Sequence, residues 1–188
     1  MHLSNKPFHN GGVLLNRTLL DFWRWSASDL VSNTLRGILA EYIVASALEL
    51  PQEARVEWDA FDLKTPAGLK LEVKSAAYLQ SWNQKALSKI NFGIAPTRAW
   101  DEEVGHHSQN RQRQADIYVF CLLHHQDKAT VDPLDMTQWT FYLLRASVLD
   151  ERLPLQRSIG PASLLKLNAL QCVYEELAPA VNVLALKD

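Results

Sequence analysis

A chain of 188 residues is long enough for one domain with a real core and short for two. Its 47% hydrophobic and 21% charged content is ordinary for a soluble globular protein, and no run approaches the roughly 20 apolar residues that span a bilayer. The net charge of −2 gives no global attraction to nucleic acid. Residues 1–7 lack the basic-then-apolar layout of a signal peptide, and Cys121 and Cys172 sit in apolar contexts without ligand spacing. Buried free thiols in a reducing cytoplasm are the expectation, with no membrane partner.

The first sixteen residues, with Pro7 and Gly11-Gly12, read as an irregular lead-in, and Arg17 to Ala27 as a short helix. Ser28 or Asp29, then Ser32 or Asn33, offer N-caps for a longer helix that Pro51 closes. In that helix Leu35, Ile38, Leu39, Tyr42, Ile43 and Ser46 follow helical spacing, and Ala40, Val44, Ala45, Ala47 and Leu48 make most of the remaining surface apolar. A helix apolar nearly all round is usually buried, and a buried carboxylate needs a partner. Glu41, the only charge between Arg36 and Glu49, is therefore a candidate site residue; the alternative is a rim glutamate reaching water or Arg36.

Two strand-like stretches, Ala54 to Lys64 and Leu69 to Ala76, flank the turn Thr65-Pro66-Ala67-Gly68. Folded about Ala67, they pair Phe61 with Val73, Asp62 with Glu72 and Leu63 with Leu71. Alternation then puts Phe61, Leu63, Leu71 and Val73 on one face, and Asp62, Glu72 and Lys74 on the other. The same parity sends Asp59 to the apolar face unless a bulge intervenes. Facing carboxylates repel unless a cation lies between them, which suits a divalent metal with hard oxygen ligands. The competing reading is a solvated hairpin face, on which Lys64 and Lys70 also pair.

From Val73 to Trp100 no acid occurs, while Lys74, Lys85, Lys89 and Arg98 are interleaved with Tyr78, Trp82, Phe92 and Trp100. Lysines contact phosphates and aromatics stack on bases, so the group suggests nucleic acid. Thr97 to Gln114 reads as a polar surface loop. Ala115 to Leu123 is a continuous β-prone run, as in a central strand buried on both faces. Gln138 to Leu144 gives another strand, and Ser163 to Leu170 and Gln171 to Leu177 look helical. Asp116 reads as a strand-end polar residue. The adjacent pairs His106-His107 and His124-His125 lack zinc-site spacing, and Trp23, Trp25, Trp58 and Trp139 read as core or interface aromatics. The order of elements fits a mixed sheet packed with helices.

A helix carrying a glutamate, followed by Asp62 and then Glu72-Val73-Lys74 on a hairpin, resembles the PD-(D/E)xK, or restriction-endonuclease-like, nuclease superfamily. The resemblance spans about residues 30–145. It implies an α/β single domain over 1–188, a restriction-endonuclease-like mixed β-sheet flanked by α-helices, with an N-terminal helical lead-in and C-terminal helices packed on it. It also implies metal-dependent hydrolysis of DNA phosphodiesters. By motif match Asp62 and Glu72 hold Mg²⁺, for which Mn²⁺ can substitute, and Lys74 is the catalytic lysine. Glu41 completes the acidic cluster, the Val73 carbonyl adds a ligand, and Gln80 matches a polar residue that some members carry after the lysine. Lys85, Lys89 and Arg98 are the expected DNA contacts. Phe61 stands where the motif has proline. Because many such nucleases cut two strands with two copies, a homodimer is also expected. The superfamily contains members that do not cleave, so the alternative is an inactive module that binds nucleic acid or a partner protein.

Overall fold

The computed structural model describes residues 5–51, 60–98, 100–101, 106–107 and 111–186. The chain opens with a hairpin, β1 (Pro7–Asn10) against β2 (Val13–Thr18), turned by Gly11 and Gly12 at φ 55° and 88°. Two successive positive φ values are the requirement of a two-residue turn whose twist matches its strands. The irregular lead-in expected here is thus a hairpin: the two glycines set a turn. Thr18 then starts α1 (Leu19–Ala27) with a capping box, its hydroxyl accepting from the Asp21 amide while the Asp21 carboxylate accepts from the Thr18 amide.

Ser32 caps α2 (Asn33–Ala47) by accepting from the Leu35 amide. The helix buries Ala40, Ile43, Val44 and Ala45 but turns Ile38 and Tyr42 outward, so it is one-sided and not enclosed all round. It ends before Pro51, with Glu49 in the left-handed region at φ 52°.

The remaining elements follow as β3 (Leu63–Lys64), β4 (Lys70–Ala77), β5 (Phe92–Gly93), β6 (Trp100–Asp101), β7 (His106–His107) and β8 (Ile117–Leu123). Next come β9 (Trp139–Arg145), α3 (Ala146–Arg152), β10 (Ser158–Ile159), α4 (Pro161–Lys166), β11 (Leu170–Cys172) and α5 (Leu177–Ala185). Of the strand expected over 54–64, the part up to residue 59, with Trp58 and Asp59, lies outside the described residues, residues 60–62 bend, and only Leu63–Lys64 is strand. Of the helix expected over 171–177, residues up to Cys172 are instead β11, while Tyr174–Glu176 forms a 3-10 turn that runs into α5. Leu170–Cys172 pairs with Leu143–Phe141, so tertiary pairing overrides local pattern there.

Five strands form the main sheet, in the order β11-β9-β8-β4-β3; β4 and β8 are parallel and the other pairs antiparallel. The fold is therefore the expected α/β mixed sheet flanked by helices. Every residue of β8 is buried, because the sheet is covered on both faces. On one face Leu71, Val73, Val119, Cys121, Phe141 and Leu143 meet α2 and α5. On the other, Tyr118, Phe120, Leu122 and Leu144 meet Phe92, Leu149, Ile159 and Leu164, contributed by β5, α3, β10 and α4. Both cysteines are buried and free. Among the described residues no helix is long and apolar enough to cross a membrane.

One buried charge joins α2 to β4. Arg36 is 3% exposed. Its Nε donates to Ser75 Oγ (3.2 Å), Nη1 to the Val31 carbonyl (2.8 Å) and Nη2 to Asn33 Oδ1 (2.6 Å). None of these acceptors is a carboxylate, and burial pulls the guanidinium pKa below its ordinary value. Of the three bonds that this buried ion donates, two close on the start of α2 and the one to Ser75 ties the helix to β4. Arg36→Ala is expected to lower unfolding free energy by about 3 kcal/mol in urea denaturation, through lost packing and orphaned acceptors. A loss below about 1 kcal/mol would remove Arg36 from this role.

Candidate active site

The hairpin carrying the site is built by its turn. The Gly68 amide donates to the Thr65 carbonyl (2.8 Å), the Leu69 amide to Thr65 Oγ1 (3.1 Å), and Gly68 takes φ 90°. Pro66, Ala67 and Gly68 thus form a three-residue loop ending in a left-handed glycine. That loop sets the expected register, with Leu63 opposite Leu71 and Lys64 opposite Lys70.

The ladder then stops. The Asp62 amide donates to the Leu71 carbonyl (3.0 Å), and the Val73 amide donates to Asp62 Oδ2 at 2.6 Å. A side chain has taken the position that the next main-chain acceptor would occupy. The predicted pairs Asp62–Glu72 and Phe61–Val73 are therefore not made. Phe61 packs against the apolar cluster of the Glu72/Lys74 face, with Lys70 Nζ 5.4 Å from its ring centroid, and so leaves the face assigned to it. The Asp62 carboxylate lies at the edge of β4. Within a strand one residue's N–H and C=O point to the same side, so the Val73 carbonyl faces that edge too.

Glu72 and Lys74 project from the opposite sheet face to Val73, joined by an ion pair of 2.5 Å with side chains 18% and 33% exposed. Tyr118, the register partner of Glu72, has its phenol pKa raised by burial and then by the Glu72 charge. Burial, then Glu72, raises Asp62 to about 6 from the ordinary 3.8; the Val73 amide and Lys74 act against this, and Glu41 adds to it. Asp62, Glu72, Lys74 and Glu41 thus share one electrostatic neighbourhood. Yet among the described residues no three His, Cys, Asp or Glu side chains are gathered as around an ion.

The donors present suit a hard divalent cation in kind. Asp62 and Glu72 offer carboxylate oxygens and Val73 a carbonyl, and the high Asp62 pKa marks negative charge that lacks full compensation.

Gln80 lies past the end of β4 and is buried. Its Nε2 donates to the Ala77 carbonyl (3.0 Å), its amide donates to Gln84 Oε1 (2.7 Å), and its own Oε1 has no partner. None of these bonds reaches the acidic group. Gln84 ties the following loop together through the Tyr78 carbonyl and Ser88 Oγ, a role that no sequence pattern announced. Lys85, Lys89 and Arg98 are exposed, as is Trp82, whereas Phe92 is core. His124 and His125 bond to the hydroxyls of Thr140 and Thr130. Asp116 accepts from the Lys70 amide, as a strand-end residue does. A cavity of about 660 Å³ beside the 67–69 turn is lined by Arg113 and Arg145, but these serve Asp150 and the end of α5.

Asp62 carries a pH signature. In the fold its carboxyl protonates at about 6, against 3.8 in a free chain, so between those values the folded form holds more protons. Stability then falls as pH rises through that window, by about 3 kcal/mol on account of this group. In chelator, urea denaturation of wild type and Asp62→Asn should converge or cross between pH 4.5 and pH 7, with the variant relatively favoured at pH 7. An equal gap at both pH values would refute the elevated Asp62 pKa.

No curated protein matches the chain. The family model described as bacteriophage T4 endonuclease IV matches residues 18–154, a span that holds Glu41, Asp62, Glu72 and Lys74. That span is 137 of 188 residues, and the chain belongs to the bacteriophage T4 endonuclease IV family.

Proposed function

We propose that this chain is a metal-dependent endonuclease that hydrolyses DNA phosphodiester bonds at the edge of β4, in the manner of the PD-(D/E)xK superfamily. The observation that carries the reading is the partly buried acidic pair, Asp62 in the field of Glu72, with the Asp62 pKa raised to about 6 and Lys74 against Glu72. Structural charge networks are rarely built from like charges, whereas sites that handle cations and phosphates often are. Membership of a family described by an endonuclease supports the same reading.

Asp62, Glu72 and the Val73 carbonyl would hold Mg²⁺ or Mn²⁺, with Glu41 supplying further negative field. Such an ion lowers the pKa of water and neutralises charge on a phosphate. The protein's own contribution is positioning. The Val73 amide holds one oxygen of Asp62, and the other would serve the ion. The Lys74 ammonium, paired with Glu72, would exchange that anionic partner for a phosphate oxygen. Exposed Lys85, Lys89 and Arg98 offer sequence-independent contacts to the DNA backbone. Gln80 enters only through the loop that carries the first two of these lysines.

Glu72→Gln keeps the side chain's size and hydrogen-bonding capacity but removes a charge. The variant should lose at least about 10³-fold in Mg²⁺-dependent cleavage while binding DNA as tightly as wild type, or more so. Added Mg²⁺ should raise the melting temperature of wild type and leave that of Asp62→Asn unmoved. Wild type that cleaves no DNA form with Mg²⁺ or Mn²⁺ would overturn the enzymatic reading and leave a DNA-binding module.

A further inference from the structure

Tyr118 is a buried aromatic with one open end. It is the β8 register partner of Glu72, so the two side chains leave the same sheet face from neighbouring strands. The residue is 4% exposed, and its ring stacks on that of Phe120, with centroids 5.8 Å apart and planes 26° from parallel. Tyrosines this deep usually give the hydroxyl to a protein acceptor. Among the described residues the Tyr118 hydroxyl has no hydrogen-bond partner. The one sealed and unpaired side-chain atom among them is Gln80 Oε1, so the Tyr118 hydroxyl reaches the surface. Of the charges that act on it Glu72 is the strongest, followed by Arg113, Asp150 and Asp62. Glu72 and Lys74, on the same sheet face, are open in part as well.

We infer that this hydroxyl donates a hydrogen bond to a non-bridging oxygen of the phosphate being cleaved. Tyr118 is then a catalytic residue beside Glu72 and Lys74. The inference rests on the nuclease reading and adds a group from β8 to a site drawn from α2, β4 and the bend before β3. A phosphate gains charge toward the transition state, and a donor already in place meets that charge without reorganising. Stacking on Phe120 restrains the ring and leaves the hydroxyl hydrogen to turn toward an acceptor. Lys74 must release Glu72 before it can do the same, whereas Tyr118 has no described partner to give up. Burial and Glu72 hold the phenol protonated well above neutral pH, so it donates a hydrogen bond and transfers no proton.

Tyr118→Phe removes one oxygen and keeps the ring. Its kcat for Mg²⁺-dependent cleavage should fall about 10- to 100-fold, as when one hydrogen bond to a charged group is lost, with KM shifted less than about 3-fold. The melting temperature in chelator should hold or rise, because no described acceptor loses its donor. Added Mg²⁺ should raise it as much as in wild type, because the proposed ligands are untouched. A variant with wild-type kcat overturns the inference and spares the nuclease reading, which Glu72→Gln tests by itself. So does a variant that melts more than about 4 °C lower in chelator, since the hydroxyl would then serve the fold. Wild type that cleaves no DNA form overturns the nuclease reading, and this inference with it.

Discussion

The bond from the Val73 amide to the Asp62 carboxylate decides the geometry of this site. A strand amide at a sheet edge needs an acceptor, and the usual acceptor is the next residue of the neighbouring strand. Here β3 has only two residues, and a side chain completes the pairing. The substitution ends the ladder, so no third β3 residue holds Asp62 in the sheet. It also leaves the carboxylate at the edge, between the face of α2 and the face of Glu72. A regular ladder would have sent Asp62 out beside Glu72, perpendicular to the sheet. The bend instead joins groups from both faces into one field, which explains how Glu41, on the α2 side, acts on Asp62 together with Glu72.

That field is balanced by contributions of different reach. Lys74 neutralises Glu72 at contact distance but remains a third exposed, so water screens much of its effect on Asp62. The Val73 amide favours the ionised carboxylate, yet burial and the neighbouring glutamate outweigh both. The net result is a carboxyl raised to about 6, with burial, Glu72 and Glu41 pushing it up and the Val73 amide and Lys74 pulling it down. Arg36 shows the converse. Its charge is deeper than that of Asp62, and only neutral oxygens surround it, but three well-directed donors make the burial tolerable. The two charges differ in this: one is bonded from α2 to β4, while the other stays incompletely compensated.

How much of this was legible in the sequence follows from the range of each interaction. The turn Pro66-Ala67-Gly68 and the register of Leu63 with Leu71 are local, and residue chemistry alone specifies them. The apolar run of β8 declared its central place because burial on both faces leaves no polar position. The departure of Asp62 from its strand was invisible, since aspartate in a two-residue periodic pattern looks the same whether it points outward or bends back to an amide. Phe61 was misassigned for the same reason: once the ladder stops, alternation no longer predicts a face. Leu170–Cys172 reads as helix until β9 offers it an edge. Gly11-Gly12 between short β-prone runs was a readable hairpin signal, missed because neither strand shows a buried face. Arg36 sat at the start of an apolar helix with Val31 and Asn33 nearby in sequence, but its acceptor on β4, Ser75, becomes a neighbour only in the fold.

The missed features share a cause that bears on function. Where local pattern and tertiary structure agree, as in β8, the residues stabilise the fold. Where they disagree, at Asp62 and along the N-terminal hairpin and α1, a stability cost remains that the described chain does not offset. The Asp62 cost is electrostatic and confined to a few ångströms, so a small cation of high charge density is the kind of ligand that removes it. The two deficits thus differ in range, the one local and electrostatic at the edge of β4, the other extended and apolar along the hairpin and α1.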